Sequence, residues 1–196
     1  LFKKPSIMKK LTISLLAVIF SLGAAFSQPV SDFGIIPVGV TLNSILRLNI
    51  TSGGNIEYVV NTLDQYTVGF PADDTNPDYQ TRFTVASSVN WEMTIYADNA
   101  DFIGVDEGAG TNTFPCGHLA YYVEYLGILA IPTSTITTEW GVAAAPAQIT
   151  AAPVIFIDNN TGNAGDVVDN DFQILWEMGT ANTAGVLLGF AADRCV

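Results

Sequence analysis

The stretch DFQILWEMG, residues 171–179, alternates with a period of two: Phe172, Ile174, Trp176 and Met178 fall on one side of an extended chain, Asp171, Gln173 and Glu177 on the other. Side chains that switch faces at every residue mark a β-strand half-buried against a core. NWEMTIYAD, residues 90–98, repeats the pattern, with Trp91, Met93 and Ile95 opposed to Glu92, Thr94 and Tyr96. HLAYYVEYLG, residues 118–127, does so with Leu119, Tyr121, Val123 and Tyr125. The shared phase makes Trp91, Met93, Ile95, Tyr121, Val123, Phe172, Ile174 and Trp176 the expected core. Glu92, Glu124 and Glu177 are out of phase with it and are expected at the surface.

Outward from these three segments the punctuation stays that of an all-β chain. YQTRFTVASS, residues 79–88, reads as a strand with Phe83 and Val85 opposed to Arg82 and Thr84, and the SSVN connection suggests that it pairs with the strand at 90–98. Leu46, Leu48 and Ile50 alternate with Arg47 and Asn49 in a half-buried strand, and IEYVVNTLDQYTVGF, residues 56–70, continues as one with Ile56, Tyr58 and Val60 on one face. A further strand is expected at Val154 to Ile157. The Asp-, Asn-, Gly- and Pro-rich stretches 71–78, 99–117 and 158–171 read as polar loops. About eight to ten short strands with turns between them favour an antiparallel two-sheet sandwich of immunoglobulin or fimbrial type, with a β-barrel as the alternative closure. An α/β fold is disfavoured because no amphipathic helix separates the strands.

The N-terminal part has a different character. MKKLTISLLAVIFSLGAAFSQ, residues 8–28, carries Lys9 and Lys10 before an apolar run from Leu11 to Ala24, then small residues, the layout of a secretory signal peptide. Residues 8–27 are therefore expected to be cleaved, residues 1–7 to be upstream reading frame, and residues 28–196 to form a single exported domain. The apolar run is too short for a membrane anchor, so no membrane insertion is expected after cleavage. Residues 28–196 contain no lysine and three arginines against nineteen acidic residues, a formal charge of −16. Such a chain repels polyphosphate, which excludes nucleic acid as a partner.

Chemistry-bearing constellations are few. Cys116 and Cys195 are free to pair in an oxidising compartment, and such a bridge would tie the end of the chain to its middle. His118, two residues from Cys116, supplies neither the ligand count of a zinc site nor the setting of a nucleophile-base pair. There is no G-x-S-x-G frame, phosphate-binding glycine loop or metalloprotease histidine pair, and no catalytic residue is expected. Asp158, Asn160, Asp166, Asp169 and Asp171 offer oxygen ligands of the kind calcium takes, although the segment lacks the terminal glutamate of an EF-hand; otherwise no cofactor is implied. Trp140, with Tyr122 and Tyr96 out of phase with their core-facing neighbours, could form an aromatic platform for a glycan or a protein.

NWEMTIYADNADFIG, then HLAYYVEYLG, then DFQILWEMGTANTAGVLLGFAADR give the chain, from about Gln80 to Arg194, a resemblance to secreted β-sandwich proteins of Bacteroidota and to fimbrial and spore-coat-U-like proteins. The shared features are an Asn-Trp dipeptide opening a strand, a later Leu-x-Tyr-x-Val strand, and a short turn toward a final strand. The resemblance implies a surface structural, adhesive or self-associating appendage subunit and not an enzyme, and it carries no catalytic residues. This chain departs from the pattern by stopping at Cys195-Val196. The expected partners are proteins, including further copies of this chain, with a carbohydrate-binding module as the alternative. Val38, Val40 and Leu42 alternate ahead of the first strand and could pair within their own subunit or with a neighbour.

Overall fold

A computed structural model describes residues 39–105, 112–129, 135–158, 162–180 and 187–190. The expected signal peptide, the upstream residues 1–7, Cys195 and Asn160 lie outside the described residues. The chain divides into two compact units, residues 1–42 and 43–196. Of the first, only residues 39–42 are described, and they carry no regular secondary structure. Every strand and helix among the described residues belongs to the second unit.

Nine strands were identified among the described residues: β1 Leu46–Ser52, β2 Gln80–Ser87, β3 Met93–Ile95, β4 Asp101–Ile103, β5 Thr113–Pro115, β6 Leu119–Tyr125, β7 Ala147–Gln148, β8 Val154–Ile157 and β9 Asp171–Met178. One α-helix, α1 (Leu63–Val68), lies between β1 and β2. The main sheet has the order β1-β2-β9-β6-β7 with every neighbour antiparallel. β3 and β8 form a second, two-stranded sheet, and β4 and β5 a third. The β3–β8 pair covers one face of the main sheet: Phe156 of β8 meets Phe83 of β2 at 6.3 Å and Tyr121 of β6 at 5.9 Å between ring centroids. The fold is all-β and sandwich-like, and among the described residues its sheets do not close into a barrel.

The core follows the strand phase. Phe83, Val85, Trp91, Tyr121, Val123, Phe172 and Ile174 are buried in one cluster, and Met93, Ile95 and Trp176 pack against it half-buried. Phe172 stacks on Phe83 at 5.4 Å and meets Trp91 edge-on at 5.8 Å. Burial of these side chains is the main stabilising contribution of the fold.

Four local expectations are corrected. The strand at 79–88 does not pair with the one at 90–98: β2 lies between β1 and β9, whereas β3 crosses to the second sheet and pairs with β8. The turn SSVN therefore connects layers of the sandwich. Residues 56–70 are not a strand. Thr62 instead caps α1, with the Gln65 amide donating to Thr62 Oγ1 at 3.2 Å while Gln65 Oε1 accepts the Thr62 amide at 3.0 Å. This reciprocal Thr-x-x-Gln box outweighs the β-propensity of the flanking residues. The Gly-rich stretch 99–117 contains a hairpin, β4 with β5, in register from Asp101 opposite Pro115 to Ile103 opposite Thr113.

The fourth correction concerns Glu177, expected at the surface but buried at 2% exposure. It lies on the face of β9 opposite Trp176, and the chain closes over it from two sides. The Thr180 hydroxyl donates to its Oε1 at 2.7 Å, and the backbone amide of Ala72 donates to its carboxylate. Gly69 permits this closure: with φ of +77° it sits against the Met178–Gly179 backbone, where a Cβ would have no room. Phe70 then exchanges backbone hydrogen bonds with Met178 at 2.8 and 2.9 Å. Of the other two glutamates, Glu92 is exposed and Glu124 half-buried.

Candidate functional site

β1 has the alternation of a half-buried strand without the burial. Leu46, Leu48 and Ile50 are 63%, 53% and 55% exposed, although they pair opposite Ser87, Val85 and Phe83, all of them buried. The reason is the width of the covering sheet. With only two strands, β3 and β8 leave an open apolar groove of about 170 Å³, bounded by Leu48 and Ile50 on one side and Met93 and Ile95 on the other, with Phe83 and Phe156 at its base. Exposed apolar surface that a strand pattern marks for burial is the signature of an interaction site.

Among the described residues no strand pairs with the outer edge of β1. Antiparallel neighbours alternate between pairs that exchange hydrogen bonds and pairs that do not. Val85 and Ser87 of β2 donate their amides away from β1, to the carbonyls of Asn170 and Gly165 at 2.9 Å each. Their partners on β1, Leu48 and Leu46, therefore direct their own N–H and C=O groups outward, and by the same alternation so does Ile50. Leu48 and Ile50 present side chains to the groove, and all three residues direct backbone groups to the outer edge.

The strands at this edge carry no acidic side chain. β1, β2 and β3 contain no acidic residue, and β1 and β2 hold Arg47 and Arg82, two of the three arginines of residues 28–196. Arg82 is held by Asp171 of β9, with Nε donating to Oδ1 at 2.9 Å and Nη2 to Oδ2 at 2.5 Å.

Two buried polar groups hold the sandwich near this edge and at its far end. Asn163, fully buried, accepts the Trp91 amide on Oδ1 at 2.9 Å and donates Nδ2 to the Trp91 carbonyl at 2.6 Å. The Trp91 indole in turn donates to the Asn163 carbonyl at 2.7 Å, which also accepts Asn170 Nδ2 at 3.0 Å. A residue expected to be part of a solvated loop is thus the anchor of the core tryptophan. At the other end of β9, burial pushes the Glu177 carboxyl above its ordinary pKa, partly offset by the Thr180 and Ala72 hydrogen bonds. Tyr58, whose hydroxyl is buried and has no hydrogen-bond partner among the described residues, is raised by desolvation and by Tyr79 and Glu177 nearby. Its ring stacks on Tyr79 at 4.5 Å. The desolvation of the Tyr58 hydroxyl and the Glu177 carboxylate is not revealed by sequence phase alone.

The other residues singled out in the sequence do not converge on one site. Tyr122 and Trp140 meet edge-on at 5.0 Å, but Tyr122 is 8% exposed and offers little open ring surface. Tyr96 follows β3 in the other layer and points out to solvent, so the three rings do not share a face. Asp166 and Asp169 are engaged in their own turn, where Asp169 Oδ2 accepts the Asp166 amide at 2.9 Å and Asp166 Oδ1 the Val167 amide at 2.7 Å. Asp171 is held by Arg82, and Asp158 donates its amide to the Thr135 carbonyl at 2.8 Å. Among the described residues no three His, Cys, Asp or Glu side chains come together as a metal site. Cys116 is a buried free thiol with Sγ 3.4 Å from the Ile149 carbonyl, and the partner expected for it, Cys195, lies outside the described residues. His118 is buried between Phe114 and Phe190, each at 5.0 Å, an aromatic setting. Among the described residues no helix is long and apolar enough to cross a membrane.

No family model matches the chain, and no curated protein matches it in sequence.

Proposed function

We propose that this chain is an exported structural or adhesive protein of a bacterial surface, acting through protein contacts and self-association. The observation that carries the reading is the β1 edge, where Leu46, Leu48 and Ile50 keep the alternation of buried residues yet stand exposed beside an apolar groove. A sheet edge with free backbone groups and an apolar flank is a template for strand addition. The secretory layout of residues 8–28 supports export, and the charge of residues 28–196 favours solubility outside the cell.

Cell fractionation and protease shaving of intact cells test this reading. The expected result is mature protein beginning near Gln28 in the extracellular or surface fraction, accessible to protease and co-purifying with further copies of itself. Retention of uncleaved chain inside the cell refutes it. The glycan alternative has its own test. A sugar-specific signal on a glycan array that Trp140→Ala abolishes would replace the self-association reading with a lectin.

A further inference from the structure

We infer that two copies of this chain join through β1, antiparallel across a two-fold axis at Leu48, to make one continuous sheet. The inference rests on the self-association reading above and specifies its partner and geometry. With Leu48 on the axis, Leu48 faces Leu48 of the second copy and Leu46 faces its Ile50. These are the three residues whose N–H and C=O groups point out of the edge, so each facing pair exchanges two hydrogen bonds, about six in all. The same register puts all six apolar side chains on one face, beside the groove of each copy. It is the self-complementary contact that a two-fold interface demands.

Shifting the axis by one residue, to Asn49, still pairs Leu48 with Ile50 of the second copy but sets Leu46 across from Ser52, beyond the register shift after Ile50, so the Leu48 register is the one that pairs all three outward-directed apolar residues with one another. On the opposite face the Leu48 register sets Arg47 across from Asn49, so the two arginines are diagonal neighbours and not directly opposed. Charge also selects this edge. In a domain of formal charge −16, β1 carries no carboxylate and one arginine, Arg47, while Arg82 of β2 is already paired with Asp171, so the edge itself adds no negative charge to the contact. β1 also lacks the usual protections of an edge strand: it contains no proline or lysine, and its one charged side chain, Arg47, lies on the face away from the groove.

Sedimentation velocity of residues 28–196 across a wide concentration range, with near-UV circular dichroism to confirm folding, gives the first readout. The expected result is a reversible dimer. Leu48→Lys should weaken it more than about tenfold, although the added positive charge lowers the overall repulsion. Leu48→Pro should do the same by removing an outward N–H while leaving the β1–β2 hydrogen bonds in place. Val168→Lys, an exposed position in the 158–171 loop, controls for the charge change and should leave the dimer intact. Leu48→Cys should form an intermolecular disulfide, since facing Cα atoms about 5.5 Å apart lie within bridging range. Asn49→Cys should not, because it faces Arg47 of the second copy. A wild-type monomer at all concentrations overturns the inference, as does one that dimerises only after removal of residues 28–43. A dimer indifferent to both Leu48 variants also overturns it. A concentration-dependent series of larger species overturns the two-fold geometry while leaving the self-association reading standing.

Discussion

Asn163→Ala removes three side-chain hydrogen bonds, two to the Trp91 backbone and a longer one, 3.4 Å, from Nδ2 to the Asp158 carbonyl. The side chain is fully buried and closes a ring with the Trp91 backbone, accepting its N–H at 2.9 Å and donating to its C=O at 2.6 Å. Alanine leaves both groups desolvated and unpaired, at about 1–3 kcal/mol each. The bond from the Trp91 indole to the Asn163 carbonyl and that from Asn170 both end on backbone and survive the substitution, which bounds the loss. The expected destabilisation is about 2–5 kcal/mol, or roughly 5–15 °C in Tm for a domain of this size. Asn163→Asp separates the two bonds. Its carboxyl can accept from the Trp91 amide in either state, but only the protonated form donates to the Trp91 carbonyl. Its folded-state pKa is therefore raised above the unfolded value. Relative to wild type the variant should be most stable below the ordinary aspartate range near about 4 and lose stability as pH rises through the raised value. Urea unfolding followed by tryptophan fluorescence, at neutral and at acid pH, reads both effects. An Asn163→Ala variant within about 0.5 kcal/mol of wild type, or an Asn163→Asp variant with an unchanged pH profile, would refute the role of this ring.

Glu177 gives a pH prediction of the same sign in the wild-type protein. Burial raises its folded pKa, so its contribution is greatest below the unfolded carboxyl value and is lost as pH rises through the folded one. Glu177→Gln should flatten that profile and raise neutral-pH stability by on the order of 1 kcal/mol; a lower neutral-pH stability in urea titrations would count against it. Phe172→Ala removes a fully buried ring stacked on Phe83 and should cost about 3–5 kcal/mol. A melt within a degree or two of wild type, roughly the shift of a sub-kcal/mol change, contradicts that placement. Cys116 should resist iodoacetamide in the native protein and react on unfolding without reductant, as a buried free thiol does. Intact-mass analysis decides this, and an unreactive unfolded chain that alkylates only after reduction would establish pairing with Cys195 instead.

Period-two alternation reports which residues share a face, and it placed all eight expected core residues in or against the core cluster. It carries no information on what covers each face. Glu177 and Leu48 show the two ways this matters. Glu177 has the phase of a surface residue and is buried, because Gly69 lets residues 69–72 close against the end of β9 and Thr180 folds back on its carboxylate. Leu48 has the phase of a core residue and is exposed, because the second sheet is two strands wide. Neither fact is local. The helix after Thr62 was legible, since Thr62 and Gln65 stand at capping-box spacing, but the apolar alternation upstream obscured it. Asn163 left no signal of its own, as an asparagine in an Asp- and Gly-rich stretch has the composition of a turn whether or not its amide is buried.

The mismatch at β1 is more informative than the matches elsewhere. A monomer gains nothing from alternating Leu46, Leu48 and Ile50 along an edge that stays in water, and exposed apolar edges carry a risk of indiscriminate pairing. Lysine is the commonest guard against that risk, and residues 28–196 contain none. The remaining restraint is net charge, which acts at a distance: at physiological ionic strength screening sets in over about 8 Å, so acidic surfaces repel on approach while two carboxylate-free edges can still meet. Under those conditions a directed contact that satisfies every outward backbone group of β1 is favoured over random adhesion, because any other register leaves donors and acceptors unpaired beside an apolar groove. In the proposed dimer the alternation in β1 becomes a burial pattern completed by another copy of the chain.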